Sequence, residues 1–184
     1  MKTIRPDARE AILEAAFQTF SKRPGASLGD IAQAAGVGRA TLHRHFKGRD
    51  DLMIALAHVA AEELDEAVDA ATRQATSHMD GLRLSLAAII PLGDRQGFLA
   101  MEPVERASEI AAKYDEGQRE LIAEIEAAKA EGALSAAIPT LWIAETYEAL
   151  IYAGWEMVRK GEATPKQAAE LAWRTFTTGL KGDA

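Results

Sequence analysis

The chain has 184 residues, 48% of them apolar, enough to pack one large domain or two small ones without covalent staples. It contains no cysteine, which excludes disulfides, thiolate metal sites and cysteine nucleophiles; its polar start, Met1 to Arg9, and the absence of a run of about 18 apolar residues argue for a cytoplasmic protein with no membrane contact. The net charge of −7 is divided unevenly, +4 over residues 1–50 and −11 over residues 51–184, so a small basic head is joined to an acidic body.

Helical periodicity runs through the chain and no segment alternates as a strand would, so the expected fold is all-α. A first helix spans about Pro6 to Lys22, with Ile12, Leu13, Ala16, Phe17 and Phe20 on one face, and Arg23-Pro24-Gly25 ends it. Ser27 to Asp30 reads as a capping-box variant opening a short second helix. Gly36 stands where a tight turn needs positive φ, and a third helix follows from about Arg39 to His45. Lys47-Gly48 breaks the pattern. A long amphipathic segment then runs from Asp50 to about Ala75, roughly 40 Å of helix at 1.5 Å per residue. Further helices are expected near Met79 to Leu92, Ile110 to Glu131, Thr140 to Lys160 and Pro165 to Leu180, the last opened by Thr164-Pro165-Lys166-Gln167.

Residues Ser27 to Phe46 have the parts of a helix-turn-helix. Ile31, Ala35, Val37, Leu42 and Phe46 form an apolar seam around a glycine turn, and the outward positions of the second helix carry Arg39, Thr41, His43, Arg44 and His45. Such donors suit base edges and phosphates in a major groove, and they lie in the basic part of the chain. The competing reading is a helical hairpin that merely caps a bundle.

The same segment resembles the signature of the tetracycline-repressor (TetR) family, through Ile31-Ala32, Ala35-Gly36-Val37, Thr41, His45-Phe46 and Arg49-Asp50-Asp51-Leu52, over about residues 8–56. It departs from that signature at Gly38, where Ser is usual, at Ala40, where Gly is usual, and at His43, where Tyr is usual. The resemblance implies a DNA-binding domain over residues 1–49 and a helical ligand-binding and dimerisation domain over 50–184. It implies that Thr41 and His43 touch the DNA backbone and that Lys47 and Arg49 hold phosphates; Arg39 and Arg44 are the expected base readers, with His45 completing the set. It further implies a homodimer on a double-stranded palindromic operator, released by a small-molecule inducer. Two alternatives stand beside it: a DNA-binding protein of the same fold with no inducer, and an enzyme built on the helical body.

Other constellations are weaker. His58 and Glu62 lie four apart on a helix, but no third ligand accompanies them, so no metal or other cofactor is expected. No Gly-x-Ser-x-Gly elbow, phosphate-cradling glycine loop or nucleotide fingerprint occurs, and no enzyme is expected. For an inducer cavity in the body, the candidate lining residues are Met53, His58, Leu86, Phe98, Met101, Glu102 and Trp142. The segment Thr140 to Lys160 has two apolar sides, one with Ile143, Tyr147, Ile151, Gly154 and Val158, the other with Trp142, Thr146, Ala149, Ala153 and Met157. The interface with a second copy is expected through Tyr147, Ile151, Gly154, Val158, Trp173, Phe176 and Leu180.

Overall fold

The computed structural model describes residues 7–95, 98 and 108–179, with side chains described at 7–95, 98 and 115–179. The described residues are all-α, and none of their helices is long and apolar enough to cross a membrane. The first helix, α1, spans Ala8–Lys22 and buries Ile12, Leu13, Ala16, Phe17 and Phe20 along the expected face. Helices α2 (Leu28–Ala34) and α3 (Arg39–His45) lie across it, followed by α4 (Arg49–Thr72), which at 24 residues is about 36 Å long. Ile12, Phe17, Ile31, Leu42, Phe46, Leu52 and Leu56 close one core. The first half of α4 is therefore part of the head, and a boundary at residue 49 falls at the start of a helix that the head core requires.

The body has its own core. Helix α5 (His78–Ile89) is shorter than its apolar pattern suggests, because Pro91 supplies no amide proton and the chain tightens into a 3-10 turn over Ile90–Leu92. Helices α6 (Ser108–Ala130), α7 (Thr140–Arg159) and α8 (Pro165–Gly179) complete it. Leu86, Ile90, Ile125, Ile143, Tyr147 and Phe176 are buried together, and the Tyr147 hydroxyl donates to the Leu82 carbonyl at 2.7 Å, tying α7 to α5. Between α7 and α8, Gly161 takes φ +75°, a conformation that L side chains resist, while Thr164 and Gln167 cap α8 as their spacing predicts.

At the start of α5, His78 Nδ1 sits 2.5 Å from Glu124 on α6 and Nε2 3.7 Å from Glu131 just past its end. The bond to Glu124 raises the imidazole pKa above its ordinary value, and the charges of Glu124 and Glu131 add to it. A raised folded pKa stabilises fully below the unfolded value, near 6.5, and the contribution is lost as pH rises through the folded value. Parent and His78→Gln melting temperatures should differ most at about pH 5.5 and converge toward pH 8.5. A difference that stays constant over that range would deny the protonated clamp.

The structure corrects the expected interface. Tyr147, Ile151 and Phe176 are almost wholly buried inside one protomer, and Gly154 packs so closely that a Cβ there would lie 2.7 Å from Ile90 Cδ1. Val158 and Trp173 are half-buried against the same core, and Leu180 lies outside the described residues. Of the two apolar sides of α7, the branched and aromatic one wins the protomer core. The other side is left on the surface from Trp142, 64% exposed, through Ala149 and Ala153 to Met157, and Leu141 at 63% and Tyr152 at 50% are exposed next to it, with Leu171 on α8.

The described members of the expected inducer set stand in different surroundings. Met53 and Phe98 pack in the head core, whereas Leu86 is fully buried in the body core. His58 is half-buried on α4, Trp142 faces outward from α7, and Met101 and Glu102 lie outside the described residues.

Candidate DNA-binding surface

Local chemistry builds the α2–turn–α3 unit. Ser27 accepts the Asp30 amide at 3.2 Å and donates its own amide to the Asp30 carboxylate at 2.8 Å, a closed capping box. Those bonds from Ser27, with Arg23 and Arg39 nearby, hold the Asp30 carboxyl below the usual carboxylate range. Gly36 turns the chain at φ +66°, and the Val37 amide returns to the Ala32 carbonyl at 2.9 Å. Ile31, Leu42 and Phe46 anchor the unit on α1 and α4.

On the outer side of α3, Arg39, His43 and Arg44 are exposed, Thr41 is half-buried, and Lys47 is exposed just beyond the helix end. The Arg39 guanidinium folds across the first turn of α2, with Nη2 3.0 Å from where a Cβ on Gly29 would stand. Ser27, Leu28, Gly29, Arg39, Leu42 and His43 line a cleft of about 290 Å³ between the two helices. The face is cationic and rigidly backed, with planar and bidentate donors at α3, a combination suited to phosphate oxygens and guanine edges.

Two of the expected DNA contacts are turned inward. His45 is half-buried, and its Nε2 is buried with no hydrogen-bond partner. Arg49 donates to the Ala26 carbonyl at 2.6 Å and the Pro24 carbonyl at 2.9 Å, and lies 4.7 Å over the Phe20 ring. Its charge fastens the start of α4 to the α1–α2 turn, which holds two of its five donors within the head. Conversely, Arg9 on α1 lies 5.7 Å over the Phe46 ring and brings a cation to the end of α3. Nothing in the local pattern of α1 marks Arg9 for that place, because Phe46 is 37 residues away in the chain.

Comparison with known proteins agrees with this geometry. Residues 12–56 match the model of the bacterial regulatory proteins of the tetR family. The HTH-type transcriptional repressor LfrR of Mycolicibacterium smegmatis is 34% identical over 178 residues, which cover 96% of this chain and 92% of that protein. The crystal structure of the TetR-like transcriptional regulator LfrR from Mycobacterium smegmatis in complex with proflavine superposes with a TM-score of 0.76 at 31% identity, covering 94% of this chain and 96% of that one. The ketosteroid transcriptional regulator KstR2 of Mycobacterium tuberculosis, at 16% identity and a TM-score of 0.79 over 97% of each chain, shares the fold. With a repressor matched nearly end to end and the family's DNA-binding head at its own N-terminal side, this chain belongs to the TetR family of bacterial regulatory proteins.

Proposed function

We propose that the protein is a transcriptional repressor that binds a palindromic operator as a homodimer and is released by a small molecule held in its body. The observation that carries this reading is the exposed cationic face of Arg39, His43, Arg44 and Lys47 on a braced helix-turn-helix, in a chain whose other residues are strongly acidic. The acidic body repels phosphate and the head attracts it, which orients the molecule on DNA. Two heads on a two-fold axis would enter successive major grooves about 34–36 Å apart. The second copy would dock on the exposed apolar strip of α7 and α8, with Trp142 and Tyr152 as its aromatic anchors.

The similarity to LfrR, whose crystal structure holds proflavine, supports a small-molecule effector for this chain as well. Proflavine is a flat aromatic cation, and the body's net negative charge suits a ligand of that class. A ligand that binds the native state raises apparent stability by about 2.7 kcal/mol at a hundred times its Kd. A proflavine titration should therefore raise the melting temperature and weaken binding to an operator selected from random duplexes. Stabilisation without release would leave a DNA-binding protein with a ligand but no induction.

On that operator, Arg44→Ala should cost about 1–3 kcal/mol and relax preference at one base position in each half-site. Lys47→Ala should weaken all sequences alike and lower the salt slope by about one per head. Fluorescence anisotropy at several salt concentrations separates the two. Equal loss on all sequences for Arg44→Ala would remove it from base reading.

A further inference from the structure

We infer that Arg95 is a positioning residue of the DNA-binding head, fixing the angle at which the head stands on the body and hence the spacing between two heads. The inference rests on the operator-binding dimer proposed above. Arg95 follows the 3-10 turn at the end of α5, and its side chain is only 12% exposed. It donates from Nε to Glu63 on α4 at 2.7 Å, to Glu14 on α1 through Nη2, and to its neighbour Asp94 through Nη1, while the guanidinium lies 4.5 Å over the Phe17 ring. Arg95 thus bonds at once to α1 of the head and to α4 just beyond the part that closes the head core. Three residues further on, Phe98 enters the head core, edge-on to Phe17 at 5.7 Å and beside Phe20 at 6.5 Å.

The same short stretch is locked at its other end to α7. Ile90 fills the space left by the missing side chain of Gly154, and Gly93 lies so close to the Trp155 indole that a Cβ would overlap it. Trp155 in turn packs edge-on to Tyr152 at 5.4 Å, on the exposed apolar strip. Ile90, Gly93, Arg95 and Phe98 therefore form a second connection between body and head, reaching α1 beside the continuous helix α4. A connection made by α4 alone would leave the head free to swing about one axis, and a second attachment at α1 removes that freedom.

The chemistry favours a permanent latch. Burial works against the Arg95 charge, but the bonds to Glu63 and Glu14 with the charge of Asp94 raise its pKa above the ordinary value. Burial acts to raise the Glu14 carboxyl, yet the bond from Arg95 leaves it below its ordinary range. Both ends stay charged around neutrality, and a planar fork can serve several carboxylates at fixed angles in a way an ammonium cannot. Nothing in the local sequence reveals the hub, since Glu14 lies 81 residues from Arg95 and Glu63 lies 32.

The test uses the full chain with Glu14→Ala, which removes only the ion pair to α1, and Arg95→Met, which removes all three bonds while keeping an apolar stem over Phe17. Affinity is measured on the selected operator and on versions with one base pair added to or removed from the centre. The parent should prefer the selected spacing by about tenfold or more, and both variants should reduce that preference to about threefold or less, because a freer head tolerates displaced half-sites. A purely structural role would weaken all spacings equally, and that result would overturn the proposal. Amide hydrogen exchange on DNA-free protein supplies a second readout: α1 should exchange faster in both variants while the α7–α8 pair is unchanged. Unaltered α1 exchange would overturn the latch even where no operator is found. Faster α1 exchange in both variants, together with a parent that selects no operator, would instead leave the latch standing and reject the repressor reading.

Discussion

Trp142→Glu is expected to turn the dimer into a folded monomer and to lower operator affinity by about a hundredfold or more. The indole is 64% exposed in the protomer, so the substitution leaves both hydrophobic cores untouched. In the dimer proposed here, two-fold symmetry brings two such carboxylates into an apolar contact with no cation to receive them. Losing an aromatic anchor costs about 2 kcal/mol or more, and burying an unpaired charge adds to that on each side. Operator affinity falls with it because a single head retains only half of the base and phosphate contacts. Light scattering reads the mass and circular dichroism confirms the helix content. A Trp142→Glu protein that remains a dimer would place the interface elsewhere. Gly154→Arg is the contrasting case: the side chain would be driven into Ile90, and the expected outcome is an unfolded protomer.

Phe46→Ala has the largest expected effect on stability, a loss of about 3–5 kcal/mol from a total that is usually 5–15 kcal/mol for a protein of this size. Phe46 is 2% exposed and sits at the C-terminal end of α3, between the recognition helix and α4, with Arg9 over its ring. The alanine would leave a cavity in the head core and release a large side chain that, with Leu42, pins a seven-residue helix too short to hold its shape unaided. Urea unfolding should show a lower midpoint, and operator binding should be lost before body helicity is. An unfolding free energy within about 1 kcal/mol of the parent would mean that the head repacks around the gap.

What could be read from the sequence was set by distance along the chain. The Ser27–Asp30 box, the Gly36 turn and the Thr164–Gln167 cap each complete their chemistry within about five positions, and the structure forms them as their spacing predicts. The all-α fold follows from periodicity for the same reason. The choice between the two sides of α7 depends on Ile90 and Ala168, which touch Gly154 from elsewhere in the chain, and periodicity alone gives both sides equal claim. Arg49 looks like a phosphate ligand in sequence because its acceptors, the carbonyls of Pro24 and Ala26, belong to a loop 23 to 25 residues earlier. His58, Leu86 and Trp142 look like a cavity set only while their helices are unplaced; in the fold they face different surroundings.

Two copies of the α2–α3 unit are expected to read an inverted repeat. The decisive measurement is selection of bound DNA from a pool of random duplexes, using the full chain at moderate salt. The expected result is enrichment of a two-fold symmetric site with half-site centres about one helical turn apart, bound by two protomers and weakened steeply by added salt. Recovery of no preferred sequence, or of an asymmetric site occupied by a single chain, would contradict it.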